Sequence, residues 1–242
     1  MVAQHRPCSA VLLDIEGTIT PLSFVHGVLF PYAREHLASF LKTQWNRVEV
    51  QQDAKLLLEE AQKQMPAGAL PAPVTAPELR NAVMTAALWL MGRDSKTTGL
   101  KSLQGRIWRG GYEKGELRAQ VFEDVPEALE RWKDEEKRIA IFSSGSVDAQ
   151  KLLVRYTTAG DLSKRIDAYF DTTTGAKREP EAYRAIAAAL KLDRGEILFA
   201  TDVLEEAEAA ARAGMQAVLV ERPGNKPLGR HSFPVVKDFA DL

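Results

Sequence analysis

The sequence predicts an α/β fold: a doubly wound, mostly parallel sheet with an α-helical domain inserted into it. In the second half of the chain, short apolar runs alternate with helical patterns, and several of the runs lead directly into polar clusters. The interval between the first two predicted strands, Ala10–Leu13 and residues 139–142, is about four times the roughly 30 residues that a βαβ crossover needs. The alternation therefore predicts a Rossmann-like sheet, and the long interval predicts the inserted domain.

The first predicted strand ends in two acids. Apolar residues run straight into Asp14 and Glu16, which are spaced i, i+2 and so lie on the same side of the strand. Burying ionised carboxylates is costly unless a cation or hydrogen-bond donors compensate. At the carboxyl end of a strand in an open α/β sheet, such side chains point into the crevice where ligands bind. The segment therefore predicts a functional site.

Later strands repeat this pattern of an apolar run followed by polar residues. They are predicted at residues 139–142, Ala168–Phe170 and residues 197–200, and a fifth strand is predicted at Gln216–Val220. Because parallel strands have their carboxyl ends at one edge of the sheet, we expect the polar residues there to share a cleft. The residues gathered in this way are Asp14, Glu16, Ser143, Lys177 and Asp202.

Helical periodicity accounts for most of the remaining chain. The inserted interval contains four helical patterns, at residues 32–45, 48–64, 77–91 and 100–112, and a Pro- and Gly-rich loop at residues 66–73. Further helices are predicted at residues 125–136, residues 147–156 with Ser146 as the N-cap, Pro180–Leu190 and Leu204–Ala213. We predict a core domain of residues 1–20 and 125–242 and a helical domain of residues 21–124.

Composition excludes several classes of protein. The chain has 242 residues and a formal net charge of −1, so it has no broad positive field to attract nucleic acid or an anionic membrane. Its one cysteine, Cys8, excludes an intrachain disulfide and a cysteine metal cluster. Residues 1–9 lack the apolar core of a signal peptide, and no apolar run approaches the ~20 residues that span a bilayer. We expect a cytoplasmic protein without a nucleic acid or membrane partner.

The predicted cleft has the residues for phosphoryl transfer. Asp14, Glu16 and Asp202 offer only oxygen ligands, and a sparse oxygen set that leaves room for water and phosphate suits Mg²⁺. The metal would keep Asp14 ionised and nucleophilic. Lys177 supplies a cation that could bridge Asp14 and a phosphate oxygen.

The polar run after the second strand completes this predicted site. Ser143 offers a hydroxyl group, and Ser144 and Gly145 offer backbone N–H groups just before a helix. These groups are suited to hold a phosphate.

Simpler interpretations exist for single residues. Lys177 could be a solvated loop lysine, and Asp202 could be the cap of the helix that begins at Leu204. Glu205 and Glu206 are interpreted as first-turn acids that the helix dipole favours. The conjunction of matching residues at four strand ends favours the active-site interpretation.

The ordered set resembles the motifs of the haloacid dehalogenase-like phosphohydrolases. Asp14-Ile15-Glu16-Gly17-Thr18 is similar to their first motif, Asp-x-Asp-Gly-Thr. Ser143, Lys177 and Asp202 match the second, third and fourth motifs. Glu16 departs from the pattern, because most phosphatases of the superfamily carry Asp there as a general acid/base.

Glu16 and several longer segments narrow the resemblance to the enolase-phosphatases of methionine salvage. The segments include Thr20-Pro21-Leu22-Ser23-Phe24-Val25, Leu103-Gln104-Gly105-Arg106-Ile107-Trp108 and Arg222-Pro223-Gly224-Asn225. The resemblance covers nearly the whole chain. It implies a monomer whose helical domain is a cap closing over the site.

The implied reaction has two steps. A 2,3-diketo-5-methylthiopentyl 1-phosphate is enolised and then dephosphorylated to the acireductone, 1,2-dihydroxy-3-keto-5-methylthiopentene. By position, the resemblance assigns one Mg²⁺ per chain to Asp14, Glu16 and Asp202, and the phosphorylated substrate to Ser143, Ser144 and Lys177. Asp14, Glu16 and Lys177 are the predicted catalytic residues.

Some questions stay open at this point. Glu16 is a candidate for the enolisation base, and Lys101 or Gln104 could also take part. Asp14 could attack phosphorus or orient water. A generic small-molecule phosphatase, a metal-free dehalogenase and a non-catalytic binding module are the alternatives, although three acids in one cleft argue against chemistry without a cation. Nicotinamide dinucleotide binding is poorly supported, since no G-x-G-x-x-G follows the first strand.

Overall fold

Unbroken apolar runs form the inner strands of a parallel sheet, because both faces of such a sheet are covered. The computed structural model describes residues 7–70 and 75–242. Its strands are β1 (Ala10–Leu13), β2 (Arg138–Phe142), β3 (Ala168–Phe170), β4 (Ile197–Thr201), β5 (Gln216–Val220) and β6 (Val235–Val236). The five longer strands lie where the sequence predicts them, whereas β6 is too short to produce a readable pattern.

The strand order creates the crevice that holds the site. The order is β3-β2-β1-β4-β5-β6, and every neighbouring pair is parallel. The chain runs outward from β1 through β2 to β3 and then returns to β4 on the other side of β1. The order therefore reverses between β1 and β4, and open α/β sheets bind ligands beside such a reversal. The predicted α/β class with a doubly wound parallel sheet is confirmed.

The helices follow the predicted periodicity. The bounds are α1 (Leu22–Phe24), α2 (Phe30–Gln44), α3 (Val48–Gln62), α4 (Ala76–Met91), α5 (Thr98–Glu113), α6 (Asp124–Asp134), α7 (Val147–Arg155), α8 (Pro180–Leu190) and α9 (Leu204–Ala213). Apart from the three-residue α1, each limit lies within two residues of its prediction. A π-helical turn at Val25–Leu29 has no counterpart in the sequence prediction.

The chain separates into two compact units. One comprises the described residues up to Gly27 together with Arg118–Leu242 and contains the sheet, and the other comprises the described residues of Val28–Leu117. The limits of the second unit, which contains α2–α5, each lie seven residues inside the predicted limits of 21 and 124. That this unit acts as a cap stays a prediction.

Two predicted segments fall partly outside the described residues. They are the polar stretch at residues 1–9, of which residues 1–6 lie outside, and the loop at residues 66–73, of which residues 71–73 lie outside. Within residues 7–70 and 75–242, no helix has the length and apolar character needed to cross a membrane.

Candidate active site

All six side chains predicted for the site line one cavity in the unit that contains the sheet. The cavity has a volume of about 570 Å³ and lies at the carboxyl ends of the central strands. The residues concerned are Asp14, Glu16, Ser143, Ser144, Lys177 and Asp202. The sheet topology therefore brings together residues that lie up to 188 positions apart in the sequence (202 − 14).

A buried lysine lies between two acids at the centre of this site. Lys177 Nζ is 2.6 Å from Asp14 Oδ1 and 2.6 Å from Glu206 Oε2. The lysine side chain is only 10% exposed, so the interpretation as a solvated loop residue is wrong. Burial alone would lower the lysine pKa, but the charges of Asp14 and Glu206 outweigh that effect and raise it. The ammonium group is therefore charged and fixed beside Asp14.

The backbone of this lysine is anchored to the core. The Tyr183 hydroxyl on α8 donates a hydrogen bond of 2.7 Å to the carbonyl oxygen of Lys177. The Tyr183 ring is buried against two further rings, with centroids 5.5 Å from Phe142 on β2 and 5.2 Å from Phe199 on β4. Packing in the core thus sets the position of the loop that carries the cation.

Asp202 follows β4 and does not cap the next helix. The N-cap of α9 is Val203, and it makes no side-chain capping bond. Asp202 Oδ1 is buried, and no hydrogen-bond partner for it is found among the described residues. Burial, reinforced by the charges of Asp14 and Glu206, raises the pKa of Asp202 to about 7, although Lys177 opposes the shift. The capping interpretation of Asp202 is therefore wrong.

Glu206 is the site residue that the sequence analysis missed. It lies in the first turn of α9, as predicted, but it is only 8% exposed and pairs with Lys177. Thr201 Oγ1 donates a hydrogen bond of 3.1 Å to its carboxylate. Burial and the charge of Asp14 raise the pKa of Glu206 to about 7, against the lowering effect of Lys177. A signal for it exists in the sequence, because the helical period places Glu206 on the same face as Ala210, which is buried.

Hydrogen bonds hold the loop after β2 at the start of α7. Ser143 is buried, and its hydroxyl oxygen accepts a hydrogen bond of 3.3 Å from the N–H of Gly145. Ser146 caps α7 by accepting from Ala149, which confirms the predicted N-cap. Gln150 Nε2 donates to the carbonyl oxygen of Gly145 at 2.8 Å. The start of α7 is thus fixed, and a helix start favours anions.

The donor set at the carboxyl edge suits a hard cation. Asp14 is buried, and Asp202 has a buried oxygen. Asp14 and Glu206 pair with the one ammonium group of Lys177, and Asp202 lies close enough for the charges of both acids to raise its pKa, so the acids outnumber this cation. Across residues 7–70 and 75–242, no three His, Cys, Asp or Glu side chains are arranged to hold an ion by themselves. The remaining coordination positions would fall to water, backbone or a phosphate, an arrangement that Mg²⁺ tolerates. The residues present therefore fit Mg²⁺.

Two further cations border the same cavity. Arg178 and Lys226 line it beside Lys177, and the sequence analysis did not single out either of them. Both are exposed, and their two positive charges outnumber the one negative charge of the exposed Glu205 at the border of a cavity whose interior is acidic. Such a border favours entry of an anionic ligand.

Gly17 allows the backbone after β1 to lie against Asp202. Its φ is +72°, and a Cβ atom there would overlap the Asp202 carboxylate. We predict that Gly17→Ala destabilises the fold by about 1–3 kcal/mol through backbone strain alone. It should also displace the carboxylate and lower activity. Urea unfolding and phosphate release measure the two effects.

Gly160 provides the matched control for this substitution. Its φ is +93°, but no atom lies within 4 Å of the position of its Cβ. Gly160→Ala should therefore introduce strain without loss of activity. Equal destabilisation and full activity in both variants would contradict the importance of the approach of Gly17 to Asp202.

Comparison with known proteins agrees with this fold. The chain matches the haloacid dehalogenase-like hydrolase family over residues 8–214. It is 48% identical to "Enolase-phosphatase E1" of Synechococcus elongatus over 97% of each chain. It is 47% identical to a "Probable bifunctional methylthioribulose-1-phosphate dehydratase/enolase-phosphatase E1" of Physcomitrium patens, over 96% of this chain and 47% of that longer one. The crystal structure of the UTR4 protein of Saccharomyces cerevisiae is 34% identical, with a TM-score of 0.76 over 97% of this chain and 100% of that chain.

These similarities extend over nearly the whole chain. The chain belongs to the haloacid dehalogenase-like hydrolases and, within them, to the enolase-phosphatases. The resemblance that the motifs predict is confirmed. The roles of the individual residues stay predictions.

Proposed function

We propose that this protein is a bifunctional enolase-phosphatase of methionine salvage. It would convert 2,3-diketo-5-methylthiopentyl 1-phosphate to the acireductone and phosphate. The observation that carries the proposal is the fixed ammonium group of Lys177, 2.6 Å from the Asp14 carboxylate in the cavity that Ser143 and Ser144 also line. The fusion of a similar segment with a methylthioribulose-1-phosphate dehydratase in Physcomitrium patens supports this substrate, because the dehydratase would supply a diketo phosphate.

In the proposed phosphatase step, four side chains act on the phosphate end of the substrate. Ser143 and Ser144 hold phosphate oxygens at the start of α7, where the helix dipole adds to their hydrogen bonds. Asp14 attacks phosphorus, or orients the water that attacks it, and the bond between phosphorus and the ester oxygen of the substrate breaks. That oxygen leaves as part of the acireductone and takes a proton from solvent. If Asp14 is the attacking group, water then hydrolyses the aspartyl phosphate and regenerates the carboxylate. Lys177 stabilises the charge that develops on the phosphate oxygens, since its ammonium group is already desolvated and oriented.

We propose that Asp14, Glu16 and Asp202 contribute to the binding of one Mg²⁺ per chain, with water, backbone or phosphate oxygens in the remaining coordination positions. When bound, the ion would neutralise charge on the phosphate and keep the acids ionised. Asp202, with a buried oxygen that has no hydrogen-bond partner among the described residues, is the strongest candidate ligand. Glu16 is half-buried at the mouth of the same cavity.

The proposed enolase step requires a base beside the carbon next to a carbonyl group. Glu16 is the candidate in the sheet unit, because its longer side chain reaches further than the Asp that most related phosphatases carry. Lys101 and Gln104 lie on α5 in the other unit, and their participation is also a proposal. We also propose that the protein is a monomer and is located in the cytoplasm.

A time course with the diketo phosphate tests the proposed function. Ultraviolet absorbance follows the enol, and a phosphate assay follows release. We expect a transient enol phosphate that precedes phosphate, and we expect excess chelator to stop release until Mg²⁺ is restored. Release without an enol transient, together with faster hydrolysis of unrelated phosphate esters, would favour the generic phosphatase instead.

A further inference from the structure

A turn near the C-terminus holds the backbone that follows the first strand. The turn comprises residues 222–225, called here the clamp turn, and is closed by a hydrogen bond of 3.1 Å from the N–H of Asn225 to the carbonyl of Arg222. Asn225 Nδ2 donates to the carbonyl oxygen of Gly17 at 2.8 Å. Arg222 Nε donates to the next carbonyl, that of Thr18, at 3.2 Å. Two side chains of one turn thus bind two consecutive carbonyls beside the site.

The clamp turn is itself firmly anchored. Arg222 is buried and makes a bidentate ion pair with Asp124 on α6. The Nη1–Oδ1 distance is 2.9 Å and the Nη2–Oδ2 distance is 2.7 Å. Its guanidinium group also lies over the rings of Phe122 and Phe239, 4.5 and 4.8 Å from their centroids. Because these contacts fix Arg222, they also fix the turn that carries Asn225.

The amide group of Asn225 has one orientation that satisfies its neighbours. Its Nδ2 faces two carbonyl oxygens, those of Gly17 and Val220, so the donor end must point toward them. Oδ1 therefore points the other way and lies 3.0 Å from the position that a Cβ of Gly17 would occupy. The Asp202 carboxylate borders the same point. The side chains of Asn225 and Asp202 thus both lie against the side of Gly17 from which a Cβ atom would project.

We infer that Asn225 is a positioning residue for the cation site. By holding the Gly17 carbonyl, it keeps the turn after Asp14 against the Asp202 carboxylate, so that the two acids converge. The inference rests on the proposed function only in taking Asp14 and Asp202 to hold Mg²⁺. Partners that orient metal ligands commonly change metal affinity by about 10- to 100-fold when they are removed.

The test compares Asn225→Ala with the wild-type protein and with Gln216→Ala. Gln216 Nε2 likewise donates to a glycine carbonyl, that of Gly195, at 2.9 Å, but at the other end of β5. Mg²⁺ affinity is measured by calorimetry and by the rise in Tm that Mg²⁺ produces. We expect Asn225→Ala to weaken Mg²⁺ binding by about 10- to 100-fold, and Gln216→Ala to leave it unchanged. The Mg²⁺ concentration for half-maximal kcat should shift in parallel.

The rise in Tm separates positioning from general stability. A purely structural loss lowers Tm at every Mg²⁺ concentration, whereas a positioning loss reduces the rise itself. Asn225→Ser serves as a milder variant if the alanine variant folds poorly. If the Mg²⁺-induced rise in Tm is unchanged in Asn225→Ala, or in Asn225→Ser where the alanine variant does not fold, the inference about Asn225 is overturned and the proposed metal site is not. Absence of Mg²⁺ binding by the wild-type protein would overturn both the inference and the proposed metal site.

Discussion

Asp14→Asn is expected to reduce phosphate release by at least about 10³-fold, the scale seen when a nucleophile is removed. Asparagine has nearly the same shape as aspartate, so the buried position after β1 remains filled. The amide can neither attack phosphorus as a carboxylate does nor balance the ammonium group of Lys177, 2.6 Å away in the wild-type protein. Initial rates of phosphate release in buffer saturated with Mg²⁺ provide the measurement.

Asp167→Asn is the matched control for this prediction. Asp167 also pairs with a lysine, Lys133, at 2.9 Å, and also adjoins a strand of the sheet. It lies at the amino end of β3, however, whereas Asp14 lies at the carboxyl end of β1. The control should retain activity. Substantial release by Asp14→Asn, or an equal loss in both variants, would contradict the proposed role of Asp14.

Lys177→Met is expected to lower both activity and stability. Methionine fills the space of the lysine but leaves Asp14 and Glu206 buried without their shared cation. Removing one member of a buried ion pair commonly costs about 3–5 kcal/mol. Removing a charge that stabilises the transition state should lower kcat/KM by about 10²-fold or more. Urea unfolding and steady-state kinetics measure the two losses separately.

The double variant Lys177→Met/Glu206→Gln separates the two effects. The second substitution removes one of the stranded carboxylates, so most of the lost stability should return. Activity should not return, because the ammonium group is still missing. Lys133→Met, which breaks a more exposed pair, should cost no more than about 1 kcal/mol and leave kcat/KM unchanged. Recovery of kcat/KM in the double variant would refute a direct role of Lys177.

The site residues that could be predicted are those that stand next to a recognisable local pattern in the sequence. Asp14, Ser143 and Asp202 each follow an apolar strand at once, and parallel strands bring such ends to one edge. Lys177 is a weaker case, because it lies seven residues beyond the end of β3 (177 − 170), at the far end of the polar run that follows the strand, and the order of the four motifs supports its assignment. Local pattern and motif order thus account for different parts of the prediction.

The residues that sequence reasoning missed depend on contacts between distant segments. Glu206 resembles an ordinary first-turn acid until the loop after β3 brings Lys177 next to it. Asn225 contacts Gly17 across 208 positions of sequence, and no periodicity records such a contact. The interpretation of Lys177 as a solvated loop residue was wrong for the same reason, since the burial of this side chain depends on the distant segments that pack around it.

Tyr183 connects the proposed catalytic lysine to the hydrophobic interior. Its hydroxyl fixes the carbonyl of Lys177, and its aromatic face is wedged between Phe142 and Phe199. The position of the Lys177 backbone therefore depends on the edge-to-face packing of these three rings in the core. A substitution of one of these rings that preserves hydrophobicity and volume can still lower kcat, although none of the three side chains is assigned a part in the chemistry.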